Sequence, residues 1–318
     1  MIRLKTKLIG GKGGVGKTTI ASSIAIYHAL KGLKTLVIST DPAHSLADCL
    51  DQEIGSEIVP VRKIKNLWAL EIDSEKATQE YGNLLVQQGF DQSSIFSQFL
   101  GGDDISSLTP PGADETVAFL KLLEFIENPL EYEVIIYDTA PTGHTLKLLS
   151  LPELTSNWLF KIAMLRQKLS STLGGIKKIF GGGGKNVNTA DMKQSIDVLR
   201  KRIESAREHL QNHEETEFIP ITIPTLMSIW ETERLLQALR QYGISAKTII
   251  VNQVNPENDK CDFCKLKHKQ HNSIIDQLKD LYSDEYRIHT IEMFKDEIRG
   301  IDNLIEFNSK ISSIFENN

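Results

Sequence analysis

Gly10-Gly11-Lys12-Gly13-Gly14-Val15-Gly16-Lys17-Thr18-Thr19 is the stretch whose reading decides the fold. It contains G-x-x-x-x-G-K-T from Gly11 to Thr18. An apolar run (Leu4, Leu8, Ile9) leads in, and an alanine-rich apolar segment over 20–30 follows, so the order predicts strand, glycine loop, helix. In such a loop the backbone N–H groups of Gly11, Gly13, Gly14, Val15 and Gly16 can curl around phosphate oxygens. The start of the helix adds partial positive charge at the same place. Lys17 would reach the β- and γ-phosphates and the Thr18 hydroxyl would ligate magnesium, with Thr19 completing the nucleotide-binding set. ATP and Mg2+ are the cofactors expected; the alternative is a glycine turn without a ligand.

Working outward, two further buried strands end in acidic residues. Residues 34–40 run into Asp41-Pro-Ala-His-Ser-Leu-Ala-Asp48, and Asp41 could position or deprotonate an attacking water. An aspartate that merely starts a loop before proline is the alternative. Glu133-Val-Ile-Ile-Tyr-Asp138 is a buried strand whose terminal carboxylate could reach the magnesium. It continues as Thr139-Ala-Pro-Thr-Gly-His-Thr-Leu146, a loop with a glycine hinge at Gly143. Three nucleotide motifs in this order predict nucleotide hydrolysis.

Composition restricts the rest. Of 318 residues, 40% are hydrophobic and 25% charged, which suits a globular domain. The balance of 36 basic against 42 acidic residues leaves −6, so no nucleic-acid partner is expected. No apolar leader follows Met-Ile-Arg-Leu-Lys and no 18-residue apolar span occurs, so the expected location is the cytoplasm. Three cysteines, two of them close together, suggest a metal or redox site in a reducing compartment. Cys49 reads as a small packing residue.

Lys12, second in K-G-G-V-G-K-T-T, marks a deviant Walker A loop. The loop resembles the family of Min- and Par-type ATPases, nitrogenase iron protein, arsenical pump ATPases and tail-anchored-protein targeting ATPases. In that family this lysine crosses a dimer interface to the partner's nucleotide, so the resemblance implies a homodimer and a catalytic role for Lys12. D-P-A-H-S-L-A-D at 41–48 and D-T-A-P-T-G-H-T at 138–145 resemble switches I and II of the last two groups. The resemblance makes Asp41 the catalytic aspartate. It also makes Asn252, at the end of the strand Thr248-Ile-Ile-Val-Asn252, the residue that reads adenine. Two departures stand out: Thr225 replaces a glutamate after Pro224, and Met293-Phe294 replaces proline-leucine before Lys295-Asp-Glu-Ile-Arg-Gly300.

Cys261-Asp-Phe-Cys264, lying between Asn252 and a helix expected over 273–282, provides half of a tetrahedral zinc site. A redox pair is one alternative, although the βαβ setting usual for it is not read here. A site completed by His268 and His271 is another, although only three residues separate Cys264 from His268. Two cysteines from each of two chains around one zinc is the reading that agrees with the targeting family, giving one Zn2+ per dimer.

The expected architecture is an α/β, doubly wound, mostly parallel sheet of about seven strands, starting near Leu4, Thr35, Leu67, Glu133, Phe218, Thr248 and Tyr286. The chain reads as a single P-loop ATPase domain over 1–318, with a helical subdomain assembled from about 76–127 and 150–216. Apolar residues there (Phe96, Phe99, Trp158, Leu159, Phe160, Met164, Leu165) exceed what one helix stripe needs. A buried helical layer is the alternative. The chain from about 4 to 307 resembles the tail-anchored-protein targeting ATPases. That resemblance implies a homodimeric carrier holding hydrophobic C-terminal transmembrane segments in a groove across the dimer, with a membrane receptor as further partner. The soluble ATPase of an arsenite or antimonite pump and a zinc-clamped ATP-regulated chaperone are the other two readings.

Overall fold

The computed structural model describes residues 4–40, 45–72, 124–126, 132–139, 201 and 204–316. Asp41, the switch II loop beyond Thr139 and nearly all of the expected helical subdomain, with its apolar lining residues, lie outside the described residues. In chain order the elements are β1 (Lys5–Gly11), α1 (Lys17–Leu30), β2 (Thr35–Ser39), α2 (Ser45–Leu50), β3 (Val59–Pro60) and β4 (Leu67–Glu71). Then come β5 (Val134–Asp138), β6 (Thr216–Thr222), α3 (Leu226–Tyr242), β7 (Thr248–Val254), α4 (Asp262–Tyr282), β8 (Arg287–Glu292) and α5 (Ile301–Ile311).

The strands form one eight-stranded sheet in the order β3-β4-β2-β5-β1-β6-β7-β8. Every pairing is parallel except that of β3 with β4. The seven expected strands are present, and β3 is additional. Two residues ending in proline are too short for a periodic signal, and an edge is where a strand tolerates proline. Parallel strands covered on both faces read as continuous apolar runs, which is why β2 and β5 are buried throughout.

Successive side chains alternate between two cores. Ile9, Val37, Ala69, Val134 and Ile136 join α1, α2 and α5 on one face. Leu8, Leu36, Ile38, Leu70, Ile135 and Tyr137 join α3, α4, Phe125, Ala206 and Leu210 on the other. The described end of the long apolar segment, at 204–211, thus packs on the sheet itself. Helix α1 is buried on nearly every side, as expected of a helix lying between a sheet, α2 and α5. Asn308 of α5 donates to the Ser23 carbonyl at 2.7 Å, pinning the two helices together.

His28, on the last turn of α1, has its Nε2 buried with no hydrogen-bond partner among the described residues. Burial, and then the positive charges of Lys7 and Lys31, push its pKa down to about 4. The folded state therefore excludes a proton that the unfolded chain takes up below 6.5. Stability linked to His28 is complete above that value and is lost as pH falls toward 4. The expected loss is on the order of 3 kcal/mol. Urea denaturation across this window should show a shallower pH dependence for His28→Gln; parallel curves would refute the assignment.

Candidate functional site

The glycine loop leaves the carboxyl end of β1, which lies between β5 and β6 in the middle of the sheet. Strands β2 to β5 lie on one side of this strand and β6 to β8 on the other, and a crevice at such a change of strand order is where open α/β sheets take ligands. Two glycines are required for steric reasons. A Cβ on Gly11 would stand 2.1 Å from the Ile221 carbonyl of β6, and one on Gly16 would stand 2.5 Å from the Asn252 amide. Gly16 also has φ +89° where it starts α1, a conformation that side chains disfavour. Gly13 and Gly14 face open space, so the rim of the loop is clear for a phosphate chain.

Lys17 is buried and its Nζ donates to the Lys12 carbonyl at 3.1 Å, folding the ammonium back across the loop. Thr18 donates its hydroxyl to Asp138 Oδ2 at 2.6 Å. These two oxygens, one from the first turn of α1 and one from the end of β5, are hard donors suited to magnesium. Thr18 and Asp138 would hold the ion, which would supply charge neutralisation at the β- and γ-phosphates. Thr19 lies at the same turn, near the Cys49 thiol. Cys49 itself is buried in the core, and burial raises its thiol to about 11, so it is an inert packing residue.

Lys12 projects from the exposed tip of the loop, 3.8 Å from Glu231 of α3. Asn252, within β7, donates to the Val15 carbonyl at 2.9 Å. The next residue, Gln253, donates to the Gly14 carbonyl at 3.0 Å from a left-handed backbone (φ 58°). The structure thus brings together Lys12, Lys17, Thr18, Asp138 and Asn252. Sequence reading missed Gln253, Ser39, Ser45 and Glu71. Ser45 places its hydroxyl 3.1 Å from that of Thr18, and Ser39 donates to Asp138 Oδ2 at 3.5 Å. A polar residue closing an apolar strand was the available signal for Ser39 and Glu71.

The two departures have local accounts. Thr225 caps α3, its hydroxyl accepting from the Ser228 amide. Phe294 packs edge-on to Phe307 at 5.0 Å, while Met293 is exposed.

The cysteine pair departs most from expectation. The helix expected over 273–282 begins at Asp262, with Cys261 as N-cap accepting from the Cys264 amide at 3.4 Å. The motif therefore opens the helix of a β7–α4–β8 crossover, so the βαβ setting is present after all. Helix periodicity is faint here because only Ile275 and Leu278 of α4 are buried. Hydrogen bonds from Cys264, thiol and backbone, favour the Cys261 thiolate, and the same contact raises Cys264. His268 and His271 instead hold the loop before the helix, through the Asn255 carbonyl (2.8 Å) and amide (3.0 Å). No group of three or more metal-ligating side chains occurs among the described residues. Two thiols at this spacing would supply half of a tetrahedral thiolate site.

The sequence profile described as anion-transporting ATPase matches residues 4–313. ATPase ASNA1 homolog 1 of Paramecium tetraurelia is 37% identical over 96% of this chain and 91% of its own. ATPase GET3 of Mycosarcoma maydis is 35% identical over 96% and 90%. ATPase GET3B of Arabidopsis thaliana is 40% identical over 87% and 71%.

Asp138→Asn should raise the magnesium concentration for half-maximal ATP hydrolysis roughly 10- to 100-fold, since a neutral amide is a poor partner for a divalent ion. A magnesium titration at saturating ATP checks this; an unchanged midpoint would remove Asp138 from the metal site.

Proposed function

The chain belongs to the anion-transporting ATPase family, and from that premise we propose that it is the homodimeric ATPase of a tail-anchored-protein targeting route. Family membership makes it an ATPase with ATP and Mg2+ as its working pair. The observation that carries the finer reading is the end-to-end match to relatives of similar length named GET3 and ASNA1, together with switch motifs resembling those of the targeting group.

In this reading the Gly11–Gly16 loop and the start of α1 receive the phosphates while Lys17 swings from the Lys12 carbonyl to the γ-phosphate. Asp41 orients and deprotonates the attacking water. Lys12 leaves Glu231 and reaches the nucleotide of the second protomer, where a cation supplied in trans stabilises developing charge. Asn252 reads the adenine. Zinc held by Cys261 and Cys264 from each of two chains clamps the dimer. The client is the apolar C-terminal transmembrane segment of another protein, delivered from the cytoplasm to a membrane receptor. Such a segment is about 20 residues and 30 Å long, which calls for apolar surface from both protomers. The pump reading is less favoured by Cys49, because a thiol sealed in the core cannot bind a metalloid.

Purified protein should contain about half a zinc per chain, as four thiolates from two chains require. Cys264→Ser should lose the metal and weaken the dimer; one zinc per chain persisting at monomer dilution would overturn the clamp.

Phe160→Asp with Leu165→Asp should abolish capture of a C-terminal transmembrane segment while sparing basal ATPase activity. A double mutant that captures normally, or arsenite stimulation of the wild type, would overturn the carrier reading.

A further inference from the structure

Glu71 closes β4 as a carboxylate only 3% exposed on an apolar strand. A buried charge is tolerated only where hydrogen bonds replace its water. Here Oε1 accepts from the Leu46 amide at 2.9 Å and the Ala47 amide at 3.0 Å. Both amides belong to the first turn of α2, whose N–H groups have no partner within the helix. The negative charge also complements that end of the helix dipole.

Helix α2 has six residues, far too few to be stable alone, so its position is set by what grips it. Its far end is held too. The Gly300 amide donates to the Cys49 carbonyl at 2.9 Å, and Arg299 donates to Asp51 at 2.9 Å. Between the grips, Leu46, Cys49 and Leu50 are buried in the α1-side core. The near end carries Ser45, whose hydroxyl lies 3.1 Å from Thr18, which in turn donates to Asp138. Strand register places Glu71, Ser39 and Asp138 in one row across β4, β2 and β5. A closed circuit results: Glu71, α2, Ser45, Thr18, Asp138, Ser39 and back across the sheet.

We propose that Glu71 is a positioning residue for the magnesium-dependent step, its carboxylate holding α2 so that Ser45 stays against Thr18. Packing alone does not call for a charge here, since Leu67, Ala69 and Leu70 of the same strand are apolar. A carboxylate accepting two backbone N–H groups is a stronger tie than a neutral acceptor. The inference rests on the ATPase chemistry of the family and on no part of the client reading, and its readouts need no client.

The test compares Glu71→Ala, Glu71→Gln and Ser45→Ala in the full chain. In ligand-free protein, hydrogen exchange at the Leu46 and Ala47 amides should speed up about tenfold or more in Glu71→Ala, the effect of losing a cap. Glu71→Gln keeps an oxygen acceptor in place and should restore most of the protection. The magnesium midpoint of ATP hydrolysis should rise in Glu71→Ala and in Ser45→Ala, with the ATP KM changed much less. Ser45→Ala should leave amide protection intact, separating the grip from the group it positions. Wild-type exchange and magnesium midpoint in a folded Glu71→Ala would overturn the proposal. So would Glu71→Gln matching Glu71→Ala in both readouts, or a Ser45→Ala midpoint identical to wild type.

Discussion

The 2.6 Å hydrogen bond from Thr18 to Asp138 is the contact on which the site depends. It joins the first turn of α1 to the end of β5, 120 residues away in the chain. It is possible because β1 pairs with β5 in a fixed parallel register, Ile9 opposite Asp138. A slip of one residue would turn Asp138 to the opposite face, away from α1. The register is protected by burial on both sides, with Ile9 and Ile136 in one core and Leu8 and Tyr137 in the other. Site and core are therefore the same constraint seen from two ends.

That constraint explains what was legible in the sequence. Continuous apolar runs ending in Asp138 and Asn252 announced buried parallel strands, and the glycine pattern announced the loop, because each has a steric or solvation cause acting on neighbouring residues. Contacts that depend on distant segments were not legible. Nothing near Glu71 in the chain indicates that its acceptors would be met by residues 46 and 47. The pairing of Lys12 with Glu231 likewise requires the return of the chain through α3. Helix α4 was read eleven residues short for a different reason. Its outer turns are lysine, histidine and glutamine, so there is no apolar stripe to count, and its cap is a cysteine.

Both faces of the sheet combine apolar packing with polar ties. On the α1 side, helices are fixed by polar ties: Asn308 to Ser23, Glu71 to α2, Gly300 to Cys49. On the other side, Leu236, Leu239, Ile275 and Leu278 pack on the sheet, and polar ties run from Arg240 to Tyr286 and from His268 and His271 to Asn255. Directional bonds fix orientation where apolar contacts fix only proximity. On the α1 side such ties hold the Thr18 hydroxyl within bonding distance of the Asp138 carboxylate.

Strand β7 shows the same logic at the other rim of the loop. Asn252 and Gln253 donate to two successive loop carbonyls, Val15 and Gly14. Adjacent residues of a strand point to opposite sides, so both can face the loop only if the backbone departs from β geometry. It does: Gln253 has φ 58°, and the pairing of β7 with β8 shifts between Val251 and Val254. Strain of this kind persists only where surrounding contacts enforce it. A side-chain amide has two donor hydrogens and one acceptor oxygen. With one hydrogen of Asn252 bonded to Val15, the other hydrogen and the oxygen form the donor–acceptor pair that an adenine edge would require. Base and phosphate recognition would then share one side chain, because the Asn252 and Gln253 amides tie β7 to the glycine loop.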